Sequence, residues 1–324
     1  MNWLITGGCG FLGTALIYRL QQQHGHNIRV LDNLCTGTRA DLAKVAQFSE
    51  FSVQRTFSAP RGVELVVGDI MDDKLALNIS KSCEIIVHFA ANTGVSPSLE
   101  NPRADMLVNV VGTFNYLEAA RINKIPRFIF ASSGASTGEV DPPIHEEQSP
   151  HPVSPYGASK LAGEGYCSAY KRSFGIDAVI LRFSNVYGPG SVHKSSVVAK
   201  FIRHALFGEP LEIYGDGAQT RDFIYIDDLI NAVLLAASTP DIGGEAFQIA
   251  TNRETTVVEM AEKLIATFKA YGVPEIRLIN GEARLGEVKR NFSDTKKARL
   301  RLGWQPNVNL EEGLNKTVFY FLNK

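Results

Sequence analysis

Over the first 180 or so positions, short apolar runs alternate with stretches of helical period. The apolar runs are Asn2-Trp3-Leu4-Ile5-Thr6, Ile28-Arg29-Val30-Leu31, Glu64-Leu65-Val66-Val67, Glu84-Ile85-Ile86-Val87-His88-Phe89, Phe128-Ile129-Phe130 and Ala178-Val179-Ile180-Leu181-Arg182-Phe183. Each reads as a buried strand. Thr14–Leu20, Val108–Asn123 and Gly157–Phe174 carry the helical pattern between them. Strand alternating with helix predicts an α/β fold with a doubly wound parallel sheet. Phe223–Ile226 and Glu245–Ile249 are expected to return to that sheet, and Glu212-Ile213-Tyr214 to form a short strand. The remaining segments predict a smaller mixed α/β lobe. The expected boundaries are 1–182 with 222–252 for the larger domain, and 183–221 with 253–324 for the lobe. A ligand is expected in the crevice at the carboxyl ends of the strands, between the two. Polar, irregular connections are expected at Val53–Arg61 and Asp141-Pro142-Pro143.

The chain's 324 residues allow a substantial core. Its net charge of -1 makes no electrostatic case for binding nucleic acid or membrane. No stretch approaches the apolar length of a membrane span, and Met1 leads directly into the first strand, so neither an anchor nor a signal peptide is predicted. The four cysteines, Cys9, Cys35, Cys83 and Cys167, lack metal-site spacing. They suit a reducing cytosol, and no metal site is expected.

The first strand runs into Gly7-Gly8-Cys9-Gly10-Phe11-Leu12-Gly13 and then a helix. That order is the context a dinucleotide site requires. Gly7 allows the tight turn, Gly10 lets backbone approach a pyrophosphate, and Gly13 lets the helix pack on the sheet. The helix N-terminus offers N–H donors to the phosphates. The second strand ends at Asp32, a carboxylate suited to two ribose hydroxyls and repulsive to a 2′-phosphate. NAD is therefore expected over NADP. Past the third strand, Asp69 and Ile70 are placed to meet adenine. Past the fourth, Ala90 and Ala91 let the chain pass close to a cofactor. His88, inside that apolar strand, reads as a packed core histidine rather than a catalytic one.

Tyr156 and Lys160 stand at i and i+4, and so share one face of a helix whose first turn suits Pro155. A free tyrosine titrates near pH ~10 and is a poor base at neutrality. A neighbouring ammonium and a positive nicotinamide ring both favour its phenolate. Taken alone, the pair also fits a partly buried ring beside a surface lysine.

These pieces together resemble the extended short-chain dehydrogenase/reductase family, in particular its nucleotide-sugar epimerases and dehydratases. The resemblance is carried by Thr6-Gly7-Gly8-x-Gly10-Phe11-Leu12-Gly13, Asp32-Asn33-Leu34, Gly68-Asp69, Ala90-Ala91 and Asn109-Val110-Val111-Gly112-Thr113. It continues through Tyr156-x-x-x-Lys160, Arg182-Phe183-Ser184-Asn185-Val186-Tyr187-Gly188-Pro189-Gly190, Tyr214-Gly215-Asp216-Gly217, Thr220-Arg221-Asp222-Phe223 and Leu302-Gly303-Trp304-x-Pro306. It runs end to end and implies a Rossmann fold.

The resemblance implies cofactor contacts at Gly7, Gly10, Phe11, Leu12, Gly13, Asp32, Asn33, Asp69, Ile70, Ala90, Ala91, Asn109, Tyr156 and Lys160. It implies Ser133 as a third catalytic residue with Tyr156 and Lys160; Ser132 is the fallback. Sugar contacts fall at Thr93, Ser133 and Asn291, and nucleotide contacts at Asn185, Tyr214, Arg221 and Arg284. Asn291 is small enough to leave N-acetylated sugars acceptable. Two departures stand out. Ser136-Thr137-Gly138 replaces a usual Val-Tyr-Gly. Ala135 stands where dehydratases and decarboxylases of the family carry a Glu. The second points to the simplest chemistry: NAD-dependent inversion of carbon 4 of a UDP-sugar through a 4-keto intermediate. A 4,6-dehydratase or decarboxylase using Glu139, a reductase with exchangeable cofactor, and a non-catalytic NAD-binding sensor are the alternatives. The cysteines point to the cytoplasm, and the resemblance implies a homodimer joined through the helices Val108–Asn123 and Gly157–Phe174. An apolar helix face alone would equally be intramolecular core.

Overall fold

The computed structural model describes residues 1–273, 275–282 and 288–323. Seven of the expected strands and an unexpected short one, Ser49–Phe51, form one sheet, eight-stranded among the described residues: β1 (Asn2–Thr6), β2 (Asn27–Asp32), β3 (Ser49–Phe51), β4 (Val63–Val67), β5 (Ile85–His88), β6 (Arg127–Ser133), β7 (Asp177–Phe183) and β8 (Ala246–Ile249). Their order is β8-β7-β6-β5-β1-β2-β4-β3. The pairings from β6 through β5, β1, β2 and β4 to β3 are all parallel. The chain moves outward from β1 on both sides, so the order reverses between β1 and β5. At such a switch point the loops leaving two neighbouring strands diverge and open a crevice.

Strand registers explain the core. Leu4 lies opposite Ile86, and Ile86 opposite Phe128, so these three share one sheet face. The helices α1 (Phe11–Gln21), α2 (Asp73–Ile79), α3 (Gly112–Ile122) and α4 (Pro155–Phe174) connect the strands. Leu75, Ile79, Tyr116, Leu117, Cys167 and Tyr170 bring α2, α3 and α4 onto that face in one buried cluster. Each fully buried Leu, Ile or Phe contributes about 1.5–3 kcal/mol of transfer free energy. A charged pair is buried at this sheet as well: Arg29 of β2 meets Glu64 of β4 at 2.9 Å with almost no exposure. Arg29 also donates to the Ser58 and Ile79 carbonyls at 2.6 and 2.7 Å and lies 4.6 Å from the Phe57 ring centroid. The irregular Val53–Arg61 connection therefore buries Phe57 over this pair.

Two expectations change. The Phe223–Tyr225 strand does not return to the main sheet. It pairs parallel with Asn185–Tyr187, and Ile226 opens the helix Ile226–Ser238. Valine, isoleucine and aromatics favour a strand but leave its partner unspecified. The Val108–Asn123 helix is not uniform either. An α-helix over Pro102–Met106 runs straight into a π-turn at Leu107–Val111, and α-helix resumes at Gly112.

The chain divides into two compact units: Met1–Gly138, Ser149–Arg182 and Ile230–Phe247; and Glu139–Gln148, Phe183–Leu229 and Gln248–Lys324. In the second, Leu211–Tyr214 pairs parallel with Leu278–Gly281, and Thr220–Arg221 antiparallel with Thr255–Thr256. Asp222 ties that unit together. Its Oδ1 accepts the Thr251 N–H and hydroxyl at 2.7 and 2.6 Å, and its Oδ2 the Ser293 N–H at 3.4 Å.

Candidate active site

The glycine turn joins β1 to α1 as its spacing predicts. The Gly7 N–H donates to the Leu31 carbonyl of β2 at 2.8 Å. Gly10 is the N-cap of α1 and has no side chain with which to cap it. The first-turn N–H donors therefore suit a ligand anion. A Cβ placed on Gly10 would meet only the Gly7 carbonyl, at 3.3 Å, which leaves room for a group against the turn. Asp32 ends β2 and is almost buried. Its Oδ2 accepts the Cys9 N–H at 2.9 Å and its Oδ1 the Leu34 N–H at 2.8 Å. Burial raises its pKa, and the two amides pull it back. Each carboxylate oxygen can accept a second donor, so both ribose hydroxyls are compatible with this geometry. Asn33 donates to Asp69 Oδ2 at 3.0 Å, joining the ends of β2 and β4. Ile70 is buried, and Phe11, Leu12, Ala90 and Ala91 are partly buried. These residues, the uncapped turn and the Asp32 carboxylate fit a dinucleotide.

Asn109 has a full set of partners within the chain. Its side chain is 1% exposed. Its amide accepts the Asn92 N–H at 2.8 Å and donates to the Asn92 carbonyl, Asp105 Oδ1 and Ser159 Oγ at 3.0, 3.1 and 3.1 Å. It braces the loop after β5 against α4. Ser159 also donates to Asp105 Oδ2 at 2.7 Å, which satisfies that fully buried carboxylate.

α4 begins where expected. Ser154 caps the Gly157 N–H at 3.1 Å, Pro155 occupies the first turn, and Gly175 closes the helix with φ +76°. Tyr156 and Lys160 therefore share a face. Lys160 is buried, and its Nζ donates to the Ala131 carbonyl at 2.8 Å. It lies 6.0 Å from the Tyr156 ring centroid and 5.0 Å from that of Phe130. Burial brings its pKa down to about 8, opposed by the Asp105 and Glu164 carboxylates. Tyr156 is partly buried, with the Ser133 hydroxyl near enough to favour its phenolate. Desolvation pushes its phenol up to about 12; the Ser133 hydroxyl lowers it and the Asp105 charge raises it. The expected depression is thus not produced by the chain alone, because burial of the phenol outweighs what favours its phenolate.

The two candidate serines at the end of β6 separate. Ser133 faces Tyr156. Ser132 is 3% exposed and donates to Glu164 at 2.5 Å. Glu164 also accepts Ser136 at 2.6 Å and is clamped by Arg182 Nη2 at 2.7 Å. Sequence reasoning missed Glu164 and Asp105, although Glu164 repeats the i+4 step from Lys160. His88 is fully buried, as a core histidine should be. Its Nδ1 lies 2.9 Å from Thr6 Oγ1, and its Nε2 3.3 Å from Thr113 Oγ1.

In the second unit, Asn185 donates its N–H to the Asp222 carbonyl at 3.0 Å. The Tyr214 hydroxyl accepts Lys200 Nζ at 3.1 Å. Arg221 Nη1 donates to the Thr220 and Val288 carbonyls at 2.7 and 2.9 Å. The Asn291 N–H reaches Thr220 Oγ1 at 3.3 Å. Thr93, in the first unit, is exposed, and Arg284 lies outside the described residues.

The chain is 36% identical over 329 aligned residues to a UDP-glucose 4-epimerase of Mycolicibacterium smegmatis, covering 100% of this chain and 99% of that protein. Among solved structures it superposes on the Thermotoga maritima UDP-glucose 4-epimerase with UDP-glucose at a TM-score of 0.88 and 33% identity, covering 100% and 99% of the two chains. The Thermus thermophilus UDP-glucose 4-epimerase complex with NAD matches at 0.86 and 31%, with 99% of each chain covered. Residues 3–250 match the family model for NAD dependent epimerases and dehydratases, and with the glycine turn, Asp32 and the Ser133–Tyr156–Lys160 cluster in place, the chain belongs to that family.

Proposed function

We propose that this chain is an NAD-dependent epimerase that inverts carbon 4 of a UDP-sugar. The observation that carries the reading is Tyr156 one helical turn from the buried Lys160, with the Ser133 hydroxyl beside its phenol. NAD, when bound, supplies reversible hydride acceptance at carbon 4. The Tyr156 phenolate removes the 4-hydroxyl proton and returns it after the 4-keto sugar has turned. The Ser133 hydroxyl bridges sugar oxygen and phenol and passes the proton between them. Lys160 would hold the nicotinamide ribose, and its ammonium favours the Tyr156 phenolate. Gly7, Gly10, Phe11, Leu12 and Gly13 hold the pyrophosphate, Asp32 and Asn33 the ribose, Asp69 and Ile70 the adenine, and Ala90 and Ala91 flank the cofactor. Thr93, Asn185, Tyr214, Arg221, Arg284 and Asn291 hold the nucleotide-sugar. Ala135 cannot titrate, and Glu139 is exposed, which favours epimerisation over loss of water or carbon dioxide. The sheet-bearing unit is the dinucleotide domain, and the second unit is the nucleotide-sugar lobe.

We further propose a cytoplasmic homodimer. All four cysteines are free thiols, which suits a reducing compartment. On α3 and α4, Phe114, Tyr166 and Phe174 are 37%, 40% and 53% exposed, an aromatic face suited to a second copy.

Incubating the protein with a panel of UDP-sugars, without added cofactor, and following the mixture by proton NMR and mass spectrometry tests the reaction. The expected product has unchanged mass and inverted carbon 4. Loss of water or carbon dioxide, or stoichiometric consumption of added NAD, sinks the proposal.

A further inference from the structure

Glu164 is 5% exposed and has no part in the proton transfers above. It stands at i+4 from Lys160 and i+8 from Tyr156, on the same face of α4 and farther along the helix. Its Oε1 accepts the Ser132 hydroxyl at 2.5 Å, the Ser136 hydroxyl at 2.6 Å and Arg182 Nε at 3.0 Å. Its Oε2 accepts Arg182 Nη2 at 2.7 Å. The Ser136 hydroxyl also lies 2.8 Å from the Ser133 carbonyl. The residues on either side of Ser133 are thus tied to the helix that carries Tyr156 and Lys160.

The donor set explains why the residue is a carboxylate. Every group that meets it donates, and a carboxylate only accepts. An amide in its place would turn an NH₂ toward Arg182 or the serines. A buried ion pair is a weak device for stability, since apolar residues of the same volume would serve packing as well. What the carboxylate adds is a defined position for the loop that ends β6.

We propose that Glu164 is a positioning residue for the reaction: through Ser132 and Ser136 it holds the Ser133 hydroxyl in register with the Tyr156 phenol. The inference rests on the assignment of Ser133 and Tyr156 as the proton-transfer pair. Glu164 touches neither sugar nor cofactor and acts only through the loop. Its charge also supports the Lys160 ammonium, in company with Asp105.

The test uses the full-length, NAD-loaded protein and the double variant Ser132→Ala/Ser136→Ala, which keeps the Glu164–Arg182 pair and hence the fold. Glu164→Gln is run beside it; if that variant does not fold, the serine pair decides. Turnover of the UDP-sugar is one readout. A shift of Ser133 by a fraction of an ångström to one ångström is expected to lower kcat on the order of 10- to 100-fold, with KM little changed. The second readout is tyrosinate absorbance against pH, with Tyr156→Phe as the blank. The groups facing Tyr156 are Ser133, Lys160 and Asp105. Only the Ser133 hydroxyl is disturbed in the serine variant, so the Tyr156 midpoint is expected to rise. A folded serine variant whose kcat and midpoint both match wild type overturns the inference. A wild-type protein that epimerises no UDP-sugar, while the midpoint still moves in the variant, overturns the proposed function and leaves the positioning role standing.

Discussion

Tyr156 has an ordinary side chain in an environment that opposes its ionisation. Burial outweighs the influence of the Ser133 hydroxyl, and the phenol stands at about 12. The phenolate therefore needs the positive nicotinamide. Difference absorbance at mildly alkaline pH is expected to show a tyrosinate signal that appears with oxidised NAD and is missing in Tyr156→Phe. That variant is expected to lose activity about 100-fold or more while still binding UDP-sugar. His88 offers a second prediction at this scale. Thr113 donates to the Asn109 carbonyl at 2.6 Å, and Thr6 accepts the Ala90 N–H at 3.2 Å. The Thr113 hydroxyl oxygen thus accepts from His88 Nε2–H, and the Thr6 hydroxyl donates to Nδ1. The imidazole is held neutral, and burial, aided by the Lys160 charge, brings its pKa from 6.5 to about 3. The unfolded chain binds the extra proton throughout that interval. The contribution of His88 to stability is thus complete above pH 6.5 and lost as pH falls toward about 3. It amounts to a few kcal/mol, at roughly 1.4 kcal/mol per pH unit. Denaturant unfolding of His88→Gln across this range is expected to show a flatter acid limb than wild type; an identical slope would exclude the effect.

Elements turn these residues into a site. The two glycines of the β1–α1 turn have separable duties. A Cβ on Gly13 would lie 2.4 Å from both the Gly7 carbonyl oxygen and Gly8 Cα, whereas on Gly10 it would meet only the Gly7 carbonyl, at 3.3 Å. Gly13→Ala is expected to destabilise the protein by about 1–3 kcal/mol or more, because backbone must move. Gly10→Ala is expected to keep its thermal midpoint close to wild type but to bind NAD at least about tenfold more weakly, since the methyl occupies the approach to the pyrophosphate. Calorimetry and NAD titration separate the two. The start and end of α4 were legible in the chain, because Ser154, Pro155 and Gly175 act through neighbouring backbone. The π-turn at Leu107–Val111 was not. It belongs with the bracing of Asn109 against Asp105, Asn92 and Ser159, and Ser159 is fifty positions away. The partner of Ser132, Glu164, was equally hidden. Adjacent strand residues point to opposite faces, and only the packed helix shows which face holds Glu164 and which Tyr156.

At the scale of the whole molecule, the aromatic face of α3 and α4 predicts assembly. Phe114 stands 5.4 Å from Tyr166, and Tyr170 5.0 Å from Phe174, between ring centroids. Phe114→Glu with Tyr166→Glu is expected to convert a dimer to a monomer in light scattering; a wild-type chain already monomeric would remove this prediction. The alternation of apolar runs and helical stretches foretold a parallel sheet, the glycine spacing its ligand turn, and Tyr156 and Lys160 their shared face. These properties depend on neighbours a few positions apart, so the order of residues by itself determined them. Which sheet receives Phe223–Tyr225, that Ser132 turns to Glu164, that Asn109 braces a loop, and that burial raises the Tyr156 phenol were decided only by the tertiary structure. Each depends on desolvation or on partners distant in sequence, and those exist only once the chain has packed.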